Sequence, residues 1–171
     1  MVSSGSNIVV RPAGSEDSAE IRALHARAFG PGRFTRTAYR VREGTPELSP
    51  FCRVCRIDGR LAAALRFTPI LIGGKAGALL LGPLAVEPAF ANQGHGRGLI
   101  AAAHEDAKAA GIALVVLVGD EPYYARLGFM RVPRGQITLP GPVDPDRLLA
   151  VELVEGALAS YGGPIAADRA L

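Results

Sequence analysis

Two apolar runs with a glycine-rich helix start between them constrain the fold of this chain more than any other feature. The first run, ALLLGPLAV, covers residues 78–86, and the second, IALVVLV, covers residues 112–118. Nearly unbroken apolar runs are typical of strands buried on both faces. The stretch between them has apolar residues at helical spacing and ends at Gly111. This order predicts a β-α-β unit with two parallel strands.

The rest of the sequence predicts more strands and helices around this unit, in one domain over residues 1–171. Pro83 lies inside the first apolar run and indicates an interrupted or bulged strand. Ser15 is the expected N-cap of the first helix, and Asp58-Gly59 is a hairpin turn. Strands are expected at residues 8–11, 51–57, 60–72, near 129–138 and 148–154, and helices at 15–29, 33–43 and 121–127. Residues 155–171 show no period and are expected to form a C-terminal extension.

Composition and charge exclude some classes of protein. Hydrophobic residues make up 49% and charged residues 20% of the chain, as in ordinary globular proteins. No apolar run is long enough to cross a bilayer, and the first residues, MVSSGSNIVVRP, do not resemble a signal peptide. We therefore expect a cytoplasmic protein with no membrane partner. The net charge of +3 comes from scattered arginines, which predicts no nucleic-acid partner and suits a small anionic ligand.

The two cysteines, Cys52 and Cys55, have the C-x-x-C spacing of redox and zinc motifs. Residues three apart on a strand point to opposite faces, and the chain has no second cysteine pair. We therefore expect two separate reduced cysteines and no metal site.

The helix in the β-α-β unit begins with ANQGHGRGLI, in which Gly94, Gly96 and Gly98 alternate. Glycine inside a helix costs about 1 kcal/mol relative to alanine, so this start indicates a need for exposed backbone. Free N–H groups and the helix dipole at a helix N-terminus favour phosphate. A diphosphate-bearing ligand is the functional interpretation; a tight turn with close helix packing is the structural alternative.

Two cofactor classes fit a diphosphate. A dinucleotide fold places G-x-G-x-x-G directly after its first strand. Here Leu99 stands where the third glycine belongs, and seven residues separate Val86 from Gly94. Asp120 does end the next strand, where a ribose-binding acid would lie. The alternative to a dinucleotide is coenzyme A.

The coenzyme A interpretation rests on a family resemblance. Residues 79–132, LLLGPLAVEPAFANQGHGRGLIAAAHEDAKAAGIALVVLVGDEPYYARLGFMRV, resemble the core of the GCN5-related N-acetyltransferases (GNAT), most of all a bacterial branch with a GDPxYYxRxGF segment. The resemblance implies an α/β fold with a mixed, mostly antiparallel central sheet, a splayed parallel strand pair and flanking helices. It also implies acetyl-CoA as co-substrate.

The resemblance places the cofactor on two segments. The pyrophosphate loop of the family reads Q/R-x-x-G-x-G/A. In the register set by Leu99 its glycines are Gly94 and Gly96, and Ala91 departs from the first position; the register Gln93-x-x-Gly96-x-Gly98 also fits. The implied cofactor-binding residues are Leu84, Ala85 and Val86, through their backbone, then Gln93, Gly94, His95, Gly96, Arg97 and Gly98 through the loop, and Tyr123.

The resemblance makes Tyr124 the general acid that protonates the leaving thiolate; a core tyrosine on a short helix is the structural alternative. We name no general base, because the strand segment LLLGPLAV has no carboxylate. Glu87 is expected to be exposed before a proline, and His25 is expected to be a surface or packing histidine. On the second helix, Arg33, Phe34, Arg36 and Tyr39 are candidates for binding the acceptor. Their basic character favours an amine on an anionic molecule.

Three functions from different classes remain at this point. The first is transfer of an acetyl group from acetyl-CoA to a primary amine on a small molecule or a protein. The second is a non-catalytic acyl-CoA-binding protein, suggested by Ala91 and the missing strand carboxylate. The third is an NAD-dependent oxidoreductase, suggested by the G-x-G and Asp120. A homodimer is compatible with the resemblance, whereas the acceptor and the preferred acyl chain are not specified.

Overall fold

A computed structural model describes residues 5–32 and 36–170 of the chain. Predicted helix residues 33–35, including the candidates Arg33 and Phe34, lie outside the described residues. The described part contains four α-helices: α1 (Ser18–Phe29), α2 (Thr37–Arg42), α3 (His95–Ala109) and α4 (Glu121–Tyr124).

The same part of the chain contains nine strands. They are β1 (Ile8–Pro12), β2 (Arg53–Ile57), β3 (Arg60–Ile72), β4 (Lys75–Val86), β5 (Leu114–Val118), β6 (Met130–Arg131), β7 (Ile137–Thr138), β8 (Leu148–Glu152) and β9 (Gly163–Ala167).

The strands form a mixed sheet in the order β1-β2-β3-β4-β5-β8-β6. All neighbours in this order are antiparallel except β4 and β5, which are parallel and joined through α3. Off this path, β9 pairs antiparallel with β3 and parallel with β7. The predicted fold class, a mostly antiparallel sheet with a parallel β-α-β pair, is confirmed.

Strands β4 and β5 separate soon after they begin to pair. Their register joins Ala78 to Leu114 and ends two residues later, at Leu80 and Val116. Beyond that point β4 continues to Val86 and β5 continues to Val118 without pairing with each other. The splayed parallel pair that the family resemblance implied is therefore present.

The predicted irregularity at Pro83 is also present. The Gly82–Pro83 peptide bond is cis, and the register between β3 and β4 shifts here. Leu65 pairs with Leu84 and Phe67 pairs with Leu81, so β4 carries one more residue than β3 across this interval. The bulge lies at the point where β4 has already left β5.

The two faces of the sheet are covered by different elements. Helix α3 packs on one face with an apolar stripe at helical spacing that includes Leu99, Ile100, Ala103 and Ala107, all of them buried. Helix α2 lies towards the other face, where Val41 joins the cluster that contains β9 residue Ile165. Of the predicted stripe of Leu99, Ala103, Ala107 and Ala110, the first three pack against the sheet, whereas Ala110 follows the helix and is exposed.

Several predicted boundaries were wrong. Residues 15–17 form a 3₁₀ turn after Gly14, and α1 begins only at Ser18, so Ser15 is not the N-cap of the helix. The expected strand at residues 129–138 is two short strands, β6 and β7. The segment from residue 155, expected to be an extension without a period, contains β9, which pairs with β3. Its sequence, GPIAA, has no apolar alternation that would predict a strand.

The two cysteines are free and buried, as predicted. Cys52 precedes β2 and its Sγ lies 3.7 Å from the carbonyl oxygen of Phe67. Cys55 lies within β2, and its Sγ is 3.9 Å from Nδ1 of His95. No helix of the described residues is long and apolar enough to cross a bilayer.

A buried carboxylate joins the first strand to α1. The side chain of Asp17 is fully buried and accepts hydrogen bonds from Arg11 at 2.7 Å and from Arg56 at 2.8 Å. It also accepts the backbone N–H of Gly14 at 2.9 Å. The hydrogen bond from Arg11, followed by those from Gly14 and Arg56, outweighs desolvation and holds the pKa of Asp17 well below its usual range.

We predict that Asp17→Asn lowers the free energy of unfolding by about 2–3 kcal/mol, because it removes the buried carboxylate that the guanidinium groups of Arg11 and Arg56 share. A depressed folded-state pKa adds stability above the unfolded value near 4, and this stability is lost as the pH falls towards the folded value. Urea unfolding of wild type and variant at neutral pH and near pH 3 measures both effects.

Glu20→Gln is the matched control, because Glu20 also binds Arg56 but its side chain is 54% exposed. The control should change stability by less than about 0.5 kcal/mol. An Asp17→Asn protein as stable as the control at neutral pH would contradict the structural role of Asp17.

Candidate active site

A cavity of about 900 Å³ opens where β4 and β5 separate. Its walls come from α1, α2, the middle of β3, the splayed ends of β4 and β5, α4, and the loop before β8. Residues that line it include His25, Tyr39, Arg42, Arg66, Leu84, Gly119 and Tyr124. Cavities of this size are typical of small-molecule sites.

The backbone of β4 presents polar groups to the gap. The N–H of Glu87 donates to the carbonyl oxygen of Ala62, which makes Ala63 and Val86 a non-hydrogen-bonded pair. By alternation, the N–H groups of Val86 and Leu84 face away from β3 and towards the gap. The backbone N–H and C=O of Ala85, one residue out of step, face β3 instead. The prediction that the backbone of Ala85 is available to a ligand is therefore corrected.

The N-terminus of α3 lies beside the same strand. Gly94 is the N-cap, and no side chain caps the helix. The first-turn amides of His95, Gly96 and Arg97 therefore have no intrahelical acceptor. The amide of Gly98 donates to the carbonyl oxygen of Gly94 at 2.9 Å, so the expectation of a free N–H at Gly98 is wrong.

The three glycines differ in what the structure requires of them. Gly94 has φ of 84°, a left-handed conformation that favours glycine. At Gly96, an added Cβ would lie 3.3 Å from the hydroxyl oxygen of Tyr123 and 3.5 Å from a methyl group of Val86. Gly98 faces open space. These requirements favour the register with Gly94 and Gly96, in which Ala91 takes the first position.

The polar residues of the loop point in different directions. The ring of His95 lies between the Sγ of Cys55 and Oε1 of Gln93, at 3.9 and 3.3 Å. His95 is the first residue of α3 and does not line the cavity at the strand gap. Arg97 is exposed in the first turn of α3, where its guanidinium is free to meet an anion at the helix start.

Tyr124 is held in place by a glycine at the end of β5. A Cβ on Gly119 would lie 2.7 Å from the Tyr124 ring, so the ring occupies the space that any other residue would fill. Phe129 packs against the same ring edge-on at 5.6 Å between centroids. Tyr124 thereby lines the cavity at the open end of the strand gap.

Burial raises the pKa of Tyr124 to about 12, with smaller contributions from Tyr123 and Asp120. The hydroxyl is therefore protonated at neutral pH and can act as a hydrogen-bond or proton donor. Tyr123 is 44% exposed and packs against Tyr124 at 4.9 Å between ring centroids. Its hydroxyl reaches Gly96, so Tyr123 connects α4 to the start of α3.

The side of the cavity formed by α2 contains predicted and unpredicted residues. Tyr39 and Arg36 line the cavity, whereas Arg33 and Phe34 lie outside the described residues. Sequence reasoning missed Arg42 and Arg66, both of which line the cavity. Helical spacing is a signal for Arg42, because residues three apart share a helix face and Arg42 follows Tyr39 by three.

The residues considered as a base have different surroundings. Glu87 forms an ion pair with Arg27 at 2.6 Å and does not line the cavity. His25 is buried and lines it, together with Glu47, which is paired with Arg22 at 2.8 Å. Among the described residues, no cluster of three histidine, cysteine or acidic side chains could hold a metal ion.

Asp120 does not occupy a ribose-binding arrangement. It is exposed at the N-cap of α4, and its carboxylate lies 3.3 Å from the guanidinium of Arg147. A 3₁₀ turn over Pro88–Phe90 separates β4 from the glycines. A dinucleotide fold requires the strand to lead directly into the glycine loop, and β4 does not do so.

Comparison with known proteins identifies the class. The family model described as an acetyltransferase (GNAT) domain matches residues 9–132. The chain therefore belongs to the GNAT family and is an N-acetyltransferase. No curated protein matches the chain.

Solved structures have the same fold. The GNAT family N-acetyltransferase YhbS from Escherichia coli, solved in complex with CoA, is 23% identical with a TM-score of 0.83, over 98% of this chain and 93% of that one. A GNAT acetyltransferase from Brucella melitensis, solved with acetyl-CoA, is 29% identical with a TM-score of 0.60, over 84% and 95%. The ribosomal-protein-S18-alanine N-acetyltransferase from E. coli is 19% identical with a TM-score of 0.61, over 86% and 94%.

We predict that the Tyr124 phenol titrates near pH 12, because it is buried beside another tyrosine and an aspartate. Carbon-13 labelling of the tyrosines followed by NMR across a pH series measures this titration. The resonance that is missing in Tyr124→Phe is assigned to Tyr124, and its chemical shift should stay constant at all pH values below about 11. A titration centred near pH 10 would contradict the desolvated position of the ring.

Proposed function

We propose that this chain transfers an acetyl group from acetyl-CoA to a primary amine, with Tyr124 as the general acid. The observation that carries the proposal is the position of Tyr124 at the gap between β4 and β5, towards which the N–H groups of Leu84 and Val86 face. CoA and acetyl-CoA in the YhbS and Brucella structures support the choice of co-substrate.

The cofactor fits the gap by its shape and its charge. The pantetheine arm contains amides that pair with free backbone groups along β4 like an added strand. The pyrophosphate would lie at the N-terminus of α3, against the amides of Gln93 to Arg97 and the guanidinium of Arg97. Tyr123 closes the side of the site between α4 and α3.

The chemistry follows from these positions. The neutral amine attacks the thioester carbonyl carbon, a C–N bond forms, and the carbonyl oxygen becomes negative. The Val86 N–H stabilises that oxygen by a hydrogen bond. The C–S bond then breaks as the thiolate takes the proton of Tyr124. The proton that the nitrogen loses passes through solvent water and restores the Tyr124 phenol, so the products are an amide and CoA thiol. A positioned acid of this kind contributes about 10²- to 10⁴-fold.

We further propose one acetyltransferase domain over residues 1–171. The pairing of β9 with β3 supports this extent, because it joins the C-terminal segment to the central sheet. The side chain of Arg169 donates to the backbone carbonyl oxygens of Glu43 and Gly44 and so ties this segment to the residues after α2. The homodimer and the cytoplasmic location stay predictions.

We predict that Tyr124→Phe lowers kcat by at least about tenfold and leaves the affinity for acetyl-CoA unchanged, because the variant loses only the proton donor. Steady-state kinetics with an accepted amine, together with calorimetric titration of acetyl-CoA, separates the two effects. Equal turnover by wild type and variant would remove Tyr124 from the acid role. Tight acetyl-CoA binding by a wild-type protein that acetylates no amine would favour a non-catalytic acyl-CoA-binding protein.

Gly96→Val should weaken acetyl-CoA binding by at least about tenfold, because its methyl groups collide with Tyr123 and Val86 and displace the first turn of α3. Ala101→Val is the control: Ala101 is exposed on the same helix, and the control should bind acetyl-CoA like the wild type. Circular dichroism verifies the fold. A folded Gly96→Val protein with wild-type affinity would refute the assignment of the pyrophosphate loop.

A further inference from the structure

Arg42 is a buried charge without a counter-ion. It lies at the end of α2, and only 7% of the residue is exposed. Its Nε is buried and has no hydrogen-bond partner, and no carboxylate among the described residues forms an ion pair with its guanidinium. A buried charge of this kind is costly unless something pairs with it.

The guanidinium points to the place where the acceptor must lie. Its Nη2 is 3.2 Å from the position of a Cβ on Gly82, the residue at the bulge of β4. Arg42 and Gly82 both line the cavity that Tyr124 also lines. An anion bound to Arg42 would therefore share the cavity with the reacting groups.

A neighbouring charge, that of Arg66, has the same sign as Arg42. Desolvation, with a further contribution from Arg66, lowers the pKa of Arg42 to about 9, so the group is still charged at neutral pH. Arg66 donates through Nη2 to Oγ1 of Thr45 at 2.9 Å and to the carbonyl oxygen of Pro46 at 3.1 Å, both uncharged acceptors. The two guanidinium groups leave a positive charge that the described acidic residues do not neutralise.

The carboxylates of the cavity wall are engaged elsewhere. Glu47 pairs with Arg22, and Asp120 pairs with Arg147. Asp144 is exposed and accepts the backbone N–H of Asp146 at 3.0 Å. None of them lies within ion-pair distance of Arg42 among the described contacts.

We propose that the acceptor is a small primary amine that carries an oxyanion, a carboxylate or a phosphate-type group, and that this oxyanion binds the guanidinium of Arg42. This inference rests on the proposed acetyl transfer. A guanidinium matches both kinds of oxyanion by paired N–H donors. The cavity of about 900 Å³ would also hold the reactive end of the co-substrate, which leaves room for a small molecule.

The test compares matched amines that differ only in charge. Glycine, β-alanine and γ-aminobutyrate are each assayed beside the corresponding amide and aminoalkylphosphonate, with acetyl-CoA and detection of released thiol. At a given pH the amides have a larger fraction of neutral, reactive amine than the amino acids. This difference favours the amides, so a preference for the oxyanion cannot arise from it. We expect one oxyanion series to react with a kcat/KM at least about tenfold above its amides; which of the two does so distinguishes carboxylate from phosphate recognition.

Arg42→Met tests the residue, because methionine keeps much of the length and removes the charge. The variant should lose at least about tenfold of the preference for the oxyanion and react with the amides like the wild type. It should also unfold at an equal or higher temperature, since no ion pair is broken. Arg42→Lys keeps the charge and should retain part of the preference.

Arg40→Met is the matched control. Arg40 lies on the same helix, is exposed, does not line the cavity and donates to the carbonyl oxygen of Pro140 at 3.3 Å. The control should keep the oxyanion preference. If Arg42→Met also keeps it, the proposed role of Arg42 is refuted.

Calorimetric titration of the same amines into the protein separates this inference from the proposed function. Acetylation of amides, cationic amines or proteins without any preference for an oxyanion would overturn the inference and leave acetyl transfer intact. Binding of an oxyanion amine that Arg42→Met abolishes, without acetylation of any amine, would support the anion site and overturn the proposed function. No binding and no acetylation of oxyanion amines would overturn the inference.

Discussion

The separation of β4 from β5 after three paired residues is the constraint on which the rest of the site depends. Two parallel strands that stayed paired would satisfy each other's backbone groups and leave no space between them. Because they separate, the N–H groups of Leu84 and Val86 face an open gap. The N-terminus of α3, Tyr124 and the cavity all adjoin this gap, so one backbone feature brings these groups together.

Charge is arranged differently on the two sides of the gap. At the start of α3, free backbone amides and Arg97 supply positive potential close to solvent, which suits a phosphate that remains partly hydrated. On the other side, Arg42 is buried and its charge is poorly solvated. Tyr124 between them is kept neutral by desolvation. A neutral phenol between two cationic regions suits the proposed acetyl transfer, in which negative charge develops on oxygen and sulfur.

The sequence predicted the elements that have strong local patterns and missed those that depend on tertiary contacts. The apolar runs of β4 and β5 and the stripe of α3 were found because their periods are long and regular. Strand β9 was missed because its short sequence, GPIAA, shows no strand pattern, and its pairing with β3 depends on tertiary contacts. In the site, Tyr124 was reached through a family resemblance, whereas Arg42 was missed because burial and the lack of a partner cannot be read from helix spacing.

Calorimetric titration of the purified protein with acetyl-CoA, with NAD titrated in parallel, tests the central claim that the strand gap and the start of α3 form an acyl-CoA site. We expect acetyl-CoA to bind with one site per chain and NAD to give no heat beyond dilution. Binding of NAD without acetyl-CoA, or of neither ligand to a folded protein, would contradict this account of the glycine loop and of the gap beside it.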